Sequence, residues 1–391
     1  MKCEDNISTK KKRTIISALL SLVFVIVVCA IIIWYVYPAG RTIIMYYKDG
    51  GYVIKYEMLN VLNCRIVPTE FDERGNCYPE EFRIPDMAPN GAKVREIAED
   101  AFESGIYPVK RLYIPDTVEV IHQNAFGIMD DLEYLYIGNR VRSPLEKCFY
   151  GAIHLSAIET HNNPIYETPD NACLVNTTTD TLVLGTIHGV IPNGIRHIAD
   201  YAFHYRAITS VTFPETLTTI GECAFCRCYI LEQDINLPDS VTTIGKNAFA
   251  WSAITALKGG SYTEIPYAML NTCNNLTEFV ISPRIKSIDR WGISSYNLRY
   301  LFIPASVERM EKEAILTSDK AVICCEISEK PAGWDDNWLR DHEEPYWNIS
   351  NSQQIDMKKQ TLETWQTEPY DFEAFICVLE KITLDKMKNG D

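Results

Sequence analysis

The stretch LPDSVTTIGKNAF at 237–249 decides the fold, because it is one copy of a series. FPETLTTIGECAF stands at 213–225, IPNGIRHIADYAF at 191–203 and IPDTVEVIHQNAF at 114–126. A degenerate copy, VREIAEDAF, occupies 94–102, and later copies drift to IKSIDRWGI at 285–293 and VERMEKEAI at 307–315. The fullest copies read as an apolar-Pro step, a short polar turn, a β-branched run ending in Ile, and an Ala-Phe close. The closing position falls at Phe102, Phe126, Phe149, Phe203, Phe225, Phe249, Met269, Ile293 and Ile315. The steps between them are 24, 23, 54, 22, 24, 20, 24 and 22, the 54 being two units plus an insertion. A fixed period of this size predicts a solenoid, in which each unit is one coil and buries its core only by stacking on its neighbours.

The segments ahead of the close define the strands. LEYLYI (132–137), ITSVTF (208–213), LTEFVI (276–281) and LRYLFI (298–303) predict short strands with inward Leu, Val and Ile. Where Pro follows, it ends the strand because it has no N–H for a ladder. The VTTI-type run predicts a second extended segment on the opposite side of the coil, and Asn-Ala-Phe turns the chain so that Phe plugs the interior. Between the inward residues stand Arg111 and Tyr113, Tyr134 and Tyr136, Ser210 and Thr212, Glu278 and Val280, and Tyr300 and Phe302. In a parallel stack these form columns on one face. The candidate ligand-binding residues are therefore Arg111, Tyr113, Tyr134, Tyr136, Arg299, Tyr300 and Phe302, since exposed aromatic and Arg side chains are those that dominate interfaces. The bland alternative is that the rings stack on one another and stabilise the sheet.

The phrase LPDSVTTIGKNAF resembles the BspA-like leucine-rich repeat family of surface proteins, mainly bacterial. Two further stretches are similar to that family. Residues 163–191 (NPIYETPDNACLVNTTTDTLVLGTIHGVI) resemble its mid-array β-hairpin insertion, and 324–347 resemble its closing segment, with Trp334, Trp338 and Trp347 as plugs of the last coil. The resemblance implies a leucine-rich-repeat array of roughly 23-residue coils over 94–323 with short parallel strands, and a closing segment over 324–350. It also implies a buried Cys at 228. The chain departs from the pattern at Pro144, in the short 254–270 unit and at Gly292-Ile293. Such arrays carry many ligands, so the fold alone names none.

Outside the array, Thr14 to Tyr37 is a run without charge. A helix of that length spans the hydrocarbon layer, with Trp34, Tyr35 and Tyr37 at the headgroup level. The expectation is an uncleaved signal-anchor at 14–37, embedded in the lipid bilayer, with a cytoplasmic tail of residues 1–13. Lys10, Lys11, Lys12 and Arg13 face only Arg41 and Lys48 across the span, which sends everything beyond it out of the cell. Residues 38–93 read as a β lead-in and N-terminal cap, and 351–391 as a tail in which Phe372, Phe375, Ile376, Leu379 and Ile382 predict an amphipathic helix. The formal net charge is −15 although the first residues are basic, so the exported part is acidic. That excludes a nucleic-acid partner, which needs a basic footprint.

The sequence carries no catalytic signature. Cys223, Cys226 and Cys228 give C-x-x-C-x-C without a second C-x-x-C at zinc spacing, and the His residues are scattered. No metal, cofactor or catalytic residue is expected. Cys64 and Cys77 flank a polar loop and are the pair placed to bridge. Three glycosylation sequons, at Asn176, Asn275 and Asn348, are near what chance gives in a Thr- and Asn-rich chain. The reading is a tethered, non-enzymatic protein for adhesion or for recognition of an extracellular protein or glycan. The alternative is a surface enzyme or envelope-processing protein with its site in the hairpin or the C-terminal tail.

Overall fold

Runs of two to six residues make up every strand among the described residues, because Pro, Gly or a polar turn breaks each apolar alternation within a few positions. The computed structural model describes residues 26–27, 42–46, 52–68, 78–102, 108–149, 151–318, 320–340 and 345–349. The chain divides into two compact units, residues 1–231 with 243–252, and residues 232–242 with 253–391.

In the first unit β1 (Thr42–Tyr46), β2 (Val53–Met58) and β3 (Asn63–Val67) form an antiparallel meander. The chain then runs through β4 (Glu81–Arg83), β5 (Lys93–Ile97), β6 (Arg111–Tyr113), β7 (Val120–Ile121), β8 (Tyr134–Tyr136) and β9 (Ala157–Glu159). These alternate between two parallel ladders. One is β4-β6-β8-β9, and the other is β5-β7 with β3 as its first rung. A second meander follows: β10 (Tyr166–Glu167), β11 (Cys173–Asn176) and β12 (Thr181–Gly185), antiparallel. Its last strand pairs in parallel with His197–Ile198, which continues to Thr219–Ile220 and Thr243–Ile244. Both hairpins thus do the same job. Each satisfies the open edge of a parallel ladder that would otherwise expose unpaired N–H and C=O groups.

The closing Phe residues stack down the interior of this unit. Phe102 and Phe126 lie 5.4 Å apart at 5°, Phe126 and Phe149 4.9 Å at 11°. Beyond the hairpin, Phe203 and Phe225 lie 5.1 Å apart, Phe225 and Phe249 5.4 Å. The backbone turns by a left-handed residue two positions before each: Asp100, Asn124, Lys147, Tyr201, Cys223 and Asn247 all have φ between 53° and 65°. The closing N–H then reaches the next coil, as from Phe225 to the Ala248 carbonyl at 2.7 Å. At Gly185 the fit is closest, since a Cβ there would run into the Phe203 ring.

The second unit repeats the scheme with four parallel ladders. Asp234–Leu237 and Ala256–Gly259 form one, Glu278–Val280, Tyr300–Ile303 and Val322–Cys325 the second, Glu264–Ile265, Ser287–Ile288 and Arg309–Met310 the third, and Ile293–Ser295, Ile315–Thr317 and Leu339–Arg340 the fourth. The closing position in its first coil is Leu270, not Met269. Ala268 carries the left-handed φ of 54°, the Leu270 N–H donates to Gly292 at 3.0 Å, and Leu270 bridges Ile293. Trp334 and Trp338 are buried 5.0 Å apart, and the Trp334 indole donates to the Val307 carbonyl at 3.0 Å.

Two expected face residues are not exposed. Tyr300 is 1% and Phe302 4% accessible. They do occupy the outward register, Phe302 between Val280 and Cys324. However, they pack with Cys324, Val322 and Ile349, so apolar neighbours remove them from water. Arg299 beside them is half-buried. Among the described residues no helix is long and apolar enough to cross a membrane. Apart from Ile26 and Val27, residues 14–37 lie outside the described residues, as do Cys77, Trp34 and the whole tail beyond 349. Cys64 is buried, with its thiol on the Ala92 and Lys93 carbonyls at 3.6 and 3.5 Å.

Candidate ligand-binding face

The β4-β6-β8-β9 ladder points Phe82, Leu112, Leu135 and Ile158 inward, each fully buried. The register therefore stacks the residues between them into two outward columns. One is Glu81, Arg111, Tyr134 and Ala157, and the other is Arg83, Tyr113, Tyr136 and Glu159. All eight are exposed or half-buried. Of the residues expected on the binding face, the structure brings Arg111, Tyr113, Tyr134 and Tyr136 together here, whereas Arg299, Tyr300 and Phe302 belong to the other unit.

Cations and rings interleave across the columns. The Arg83 guanidinium sits 3.7 Å from the centre of the Tyr113 ring, and the Arg111 guanidinium 4.1 Å from that of Tyr134. Arg111 also donates to the Tyr113 hydroxyl at 3.2 Å, and Arg83 to Glu81 at 2.7 Å. Tyr113 lies 5.4 Å from Tyr134 and 6.2 Å from Tyr136. Each such cation–ring contact contributes about 0.5–1 kcal/mol at an exposed site, so the bland reading of self-stacking is partly met. It does not cover the face.

The far side of the columns is acidic. Glu159 accepts from the Tyr134 hydroxyl through Oε2 and pairs with His161 at 2.6 Å through Oε1. The Tyr134 hydrogen bond, then His161, holds the Glu159 carboxyl below its ordinary range. Burial and the same hydrogen bond push the Tyr134 phenol up. Asp116 Oδ1 accepts the Tyr136 hydroxyl at 3.3 Å and the Asn139 N–H at 2.9 Å. Between these groups lies a shallow pocket of about 610 Å³, lined by Tyr113, Tyr134, Tyr136, Arg83, Glu159 and the Pro-Asp turns at 85–86 and 115–116.

Sequence reasoning passed over Arg83, Asp86, Asp116, Glu159 and His161. Arg83 lies in a strand of the lead-in, ahead of the array boundary. Asp86 and Asp116 are the Asp of the recurring Pro-Asp step, so the repeat itself was the available signal for a carboxylate beside each strand end.

The Cys223–Cys226 turn packs with Ala250, Tyr201 and Trp251, and Cys228 is fully buried with its thiol on the Phe203 carbonyl at 3.2 Å. Burial pushes the Cys228 thiol up to about 12. Among the described residues no three His, Cys, Asp or Glu side chains converge to hold a metal ion.

The fold has solved counterparts. A leucine-rich repeat protein from Eubacterium ventriosum aligns with a TM-score of 0.54 at 16% identity, covering 80% of this chain and 99% of its own. At that identity the likeness shows the fold alone. A leucine rich cell surface protein from Faecalibacterium prausnitzii is 17% identical over 79% of this chain and 96% of its own, with a TM-score of 0.36 that adds no argument. No curated protein is significantly similar in sequence. The profile of the BspA type leucine rich repeat region matches six copies over residues 76–186 and 196–321. The chain belongs to the BspA-type leucine-rich-repeat family.

Proposed function

We propose that this chain is a membrane-tethered recognition protein that binds an extracellular protein or glycan through the β4-β6-β8-β9 face. It is a binding protein rather than an enzyme. The observation that carries the reading is the pair of outward columns holding Arg83, Arg111, Tyr113, Tyr134 and Tyr136. A partner gains large contact area from such rings at small entropy cost, and a soluble surface rarely gathers so many without a use. The tether is the uncharged run 14–37, oriented by its flanking Lys and Arg with residues 1–13 in the cytoplasm.

The test uses cells displaying the full chain, screened against matrix proteins and glycans. Tyr134→Ala and Tyr136→Ala should each weaken binding about tenfold, while Thr219→Ala and Thr243→Ala, on a different ladder, should leave it intact. The reverse pattern would move the site off this face. Protease added to intact cells should remove the chain beyond about residue 38; a protected C-terminus would reverse the orientation.

A further inference from the structure

The pocket on this face has a definite charge. Three carboxylates, Asp86, Asp116 and Glu159, line it against one guanidinium, Arg83. That guanidinium is already engaged, by Glu81 and by the Tyr113 ring. The acids come from three separate coils. Asp86 and Asp116 occupy the same turn position in successive coils, and Glu159 stands directly beside Tyr136 in the register. Asp116 lines the pocket and makes its two hydrogen bonds, to the Tyr136 hydroxyl and the Asn139 N–H, through Oδ1. Asp86 is exposed.

The rings show what they accept. Tyr113 and Tyr134 each already carry an intramolecular guanidinium over the face, at 3.7 and 4.1 Å. Tyr136 is next in the column; among the described residues no guanidinium lies over it, His161 stands 6.0 Å from its ring, and Asp116 and Glu159 flank it. An aromatic face beside two carboxylates is an arrangement that selects a cation, because the ring quadrupole and the carboxylate charge act in the same direction. A polyanionic glycan would meet three carboxylates at this point, and a neutral one would leave Asp86 and Asp116 without counter-charge, Glu159 being the one already paired, with His161.

We propose that the pocket receives an Arg or Lys side chain from a basic peptide segment of a protein partner, its cation placed over Tyr136 and held by Asp116, Asp86 and Glu159. This rests on the face assigned above and narrows its ligand from protein or glycan to a cationic protein segment. Charge attraction of this kind acts on association rate and weakens with salt.

The test reconstitutes the full chain in vesicles of phosphatidylcholine and measures binding of four probes by fluorescence anisotropy. The probes are labelled Gly-Arg repeat and Gly-Glu repeat peptides, a neutral chitin oligosaccharide and a heparin-derived oligosaccharide. The Gly-Arg peptide should bind, lose about tenfold in affinity in the Asp86→Asn/Asp116→Asn double variant, and weaken as salt rises. Glu159→Gln should act in the same direction. Melting of each variant is measured first, and Glu215→Gln, an exposed carboxylate outside this ladder and pocket, serves as a charge control that should lose less. Failure of the Gly-Arg peptide to bind, or equal binding by wild type and the double variant, overturns the proposal. Oligosaccharide binding that Tyr136→Ala abolishes and Asp86→Asn/Asp116→Asn spares overturns it while keeping the face. Binding of any probe untouched by Tyr134→Ala, Tyr136→Ala and the acid variants overturns both.

Discussion

The guanidinium of Arg206 donates to the carbonyl of Phe149, 57 residues earlier in the chain, at 3.1 Å. Arg206 is 1% accessible and has two further acceptors, Gly185 at the end of β12 and His204. One side chain thus ties the coil before the hairpin, the hairpin and the coil after it. Burial lowers its ordinary pKa to about 10, still charged at neutral pH. Arg206→Met removes all three bonds and should lower stability by about 3 kcal/mol, measured by urea unfolding. Arg206→Lys, which cannot span the same fork, should fall between the two. Wild-type stability in the Met variant would mean that the three carbonyls are served without it.

Phe225 stands between Phe203 and Phe249 in the ring stack, with Phe213 edge-on at 5.7 Å. Phe225→Ala deletes a fully buried ring, a change that costs about 3–5 kcal/mol. In a one-dimensional stack each coil depends on its neighbours, so hydrogen exchange should accelerate at Ile198 and Ile244 as well as at Ile220. Exchange that rises only in the mutated coil would argue against coupling between coils.

The repeat and its Phe plugs were legible because period and residue type agree at Phe126, Phe203, Phe225 and Phe249. Leu270 was not, since Met269 and Leu270 are adjacent and both fully buried. The turn that separates them rests on a left-handed Ala268, where no Asn or Gly marks the position. Phe302 failed for another reason. Strand alternation places it outward correctly, but its cover is Ile349, from a segment without the repeat's periodicity. The acidic half of the face was missed because outward columns are read within strands, while Asp86 and Asp116 come from the turns that follow them.

His204 is buried among cations. Burial first, then Arg206 and Arg227, lowers its pKa from 6.5 to about 3. The unfolded chain takes up a proton below pH 6.5 that the folded chain refuses until about pH 3. The associated stability is therefore fully present above 6.5 and is lost as pH falls through that window, at up to about 1.4 kcal/mol per pH unit. Thermal melts between neutral pH and pH 5 should show a slope in the wild type that flattens in His204→Gln. An identical slope in both would assign the acid sensitivity to other groups.

Tyr136 and Phe302 occupy the same outward register of their respective ladders, yet truncating them should have opposite consequences. Tyr136 is half-buried, with a hydroxyl bond to Asp116 at 3.3 Å and ring contacts with Tyr113 and His161. Losing these should change stability by no more than about 1 kcal/mol, as surface substitutions do. Phe302 is 4% accessible and packs with Tyr300 and Ile349, so Phe302→Ala leaves a cavity and should cost about 3–5 kcal/mol. Melting of the two variants separates structural from binding roles. Tyr136→Ala should melt near the wild type and lose the partner. Phe302→Ala should melt well below it, and at a temperature where it is still folded it should bind the β4-β6-β8-β9 partner as the wild type does, because none of its contacts belongs to that face. If Tyr136→Ala proves the less stable of the two, the ring is part of the packing rather than of the recognition surface. If folded Phe302→Ala loses the partner, the recognition surface includes the second unit.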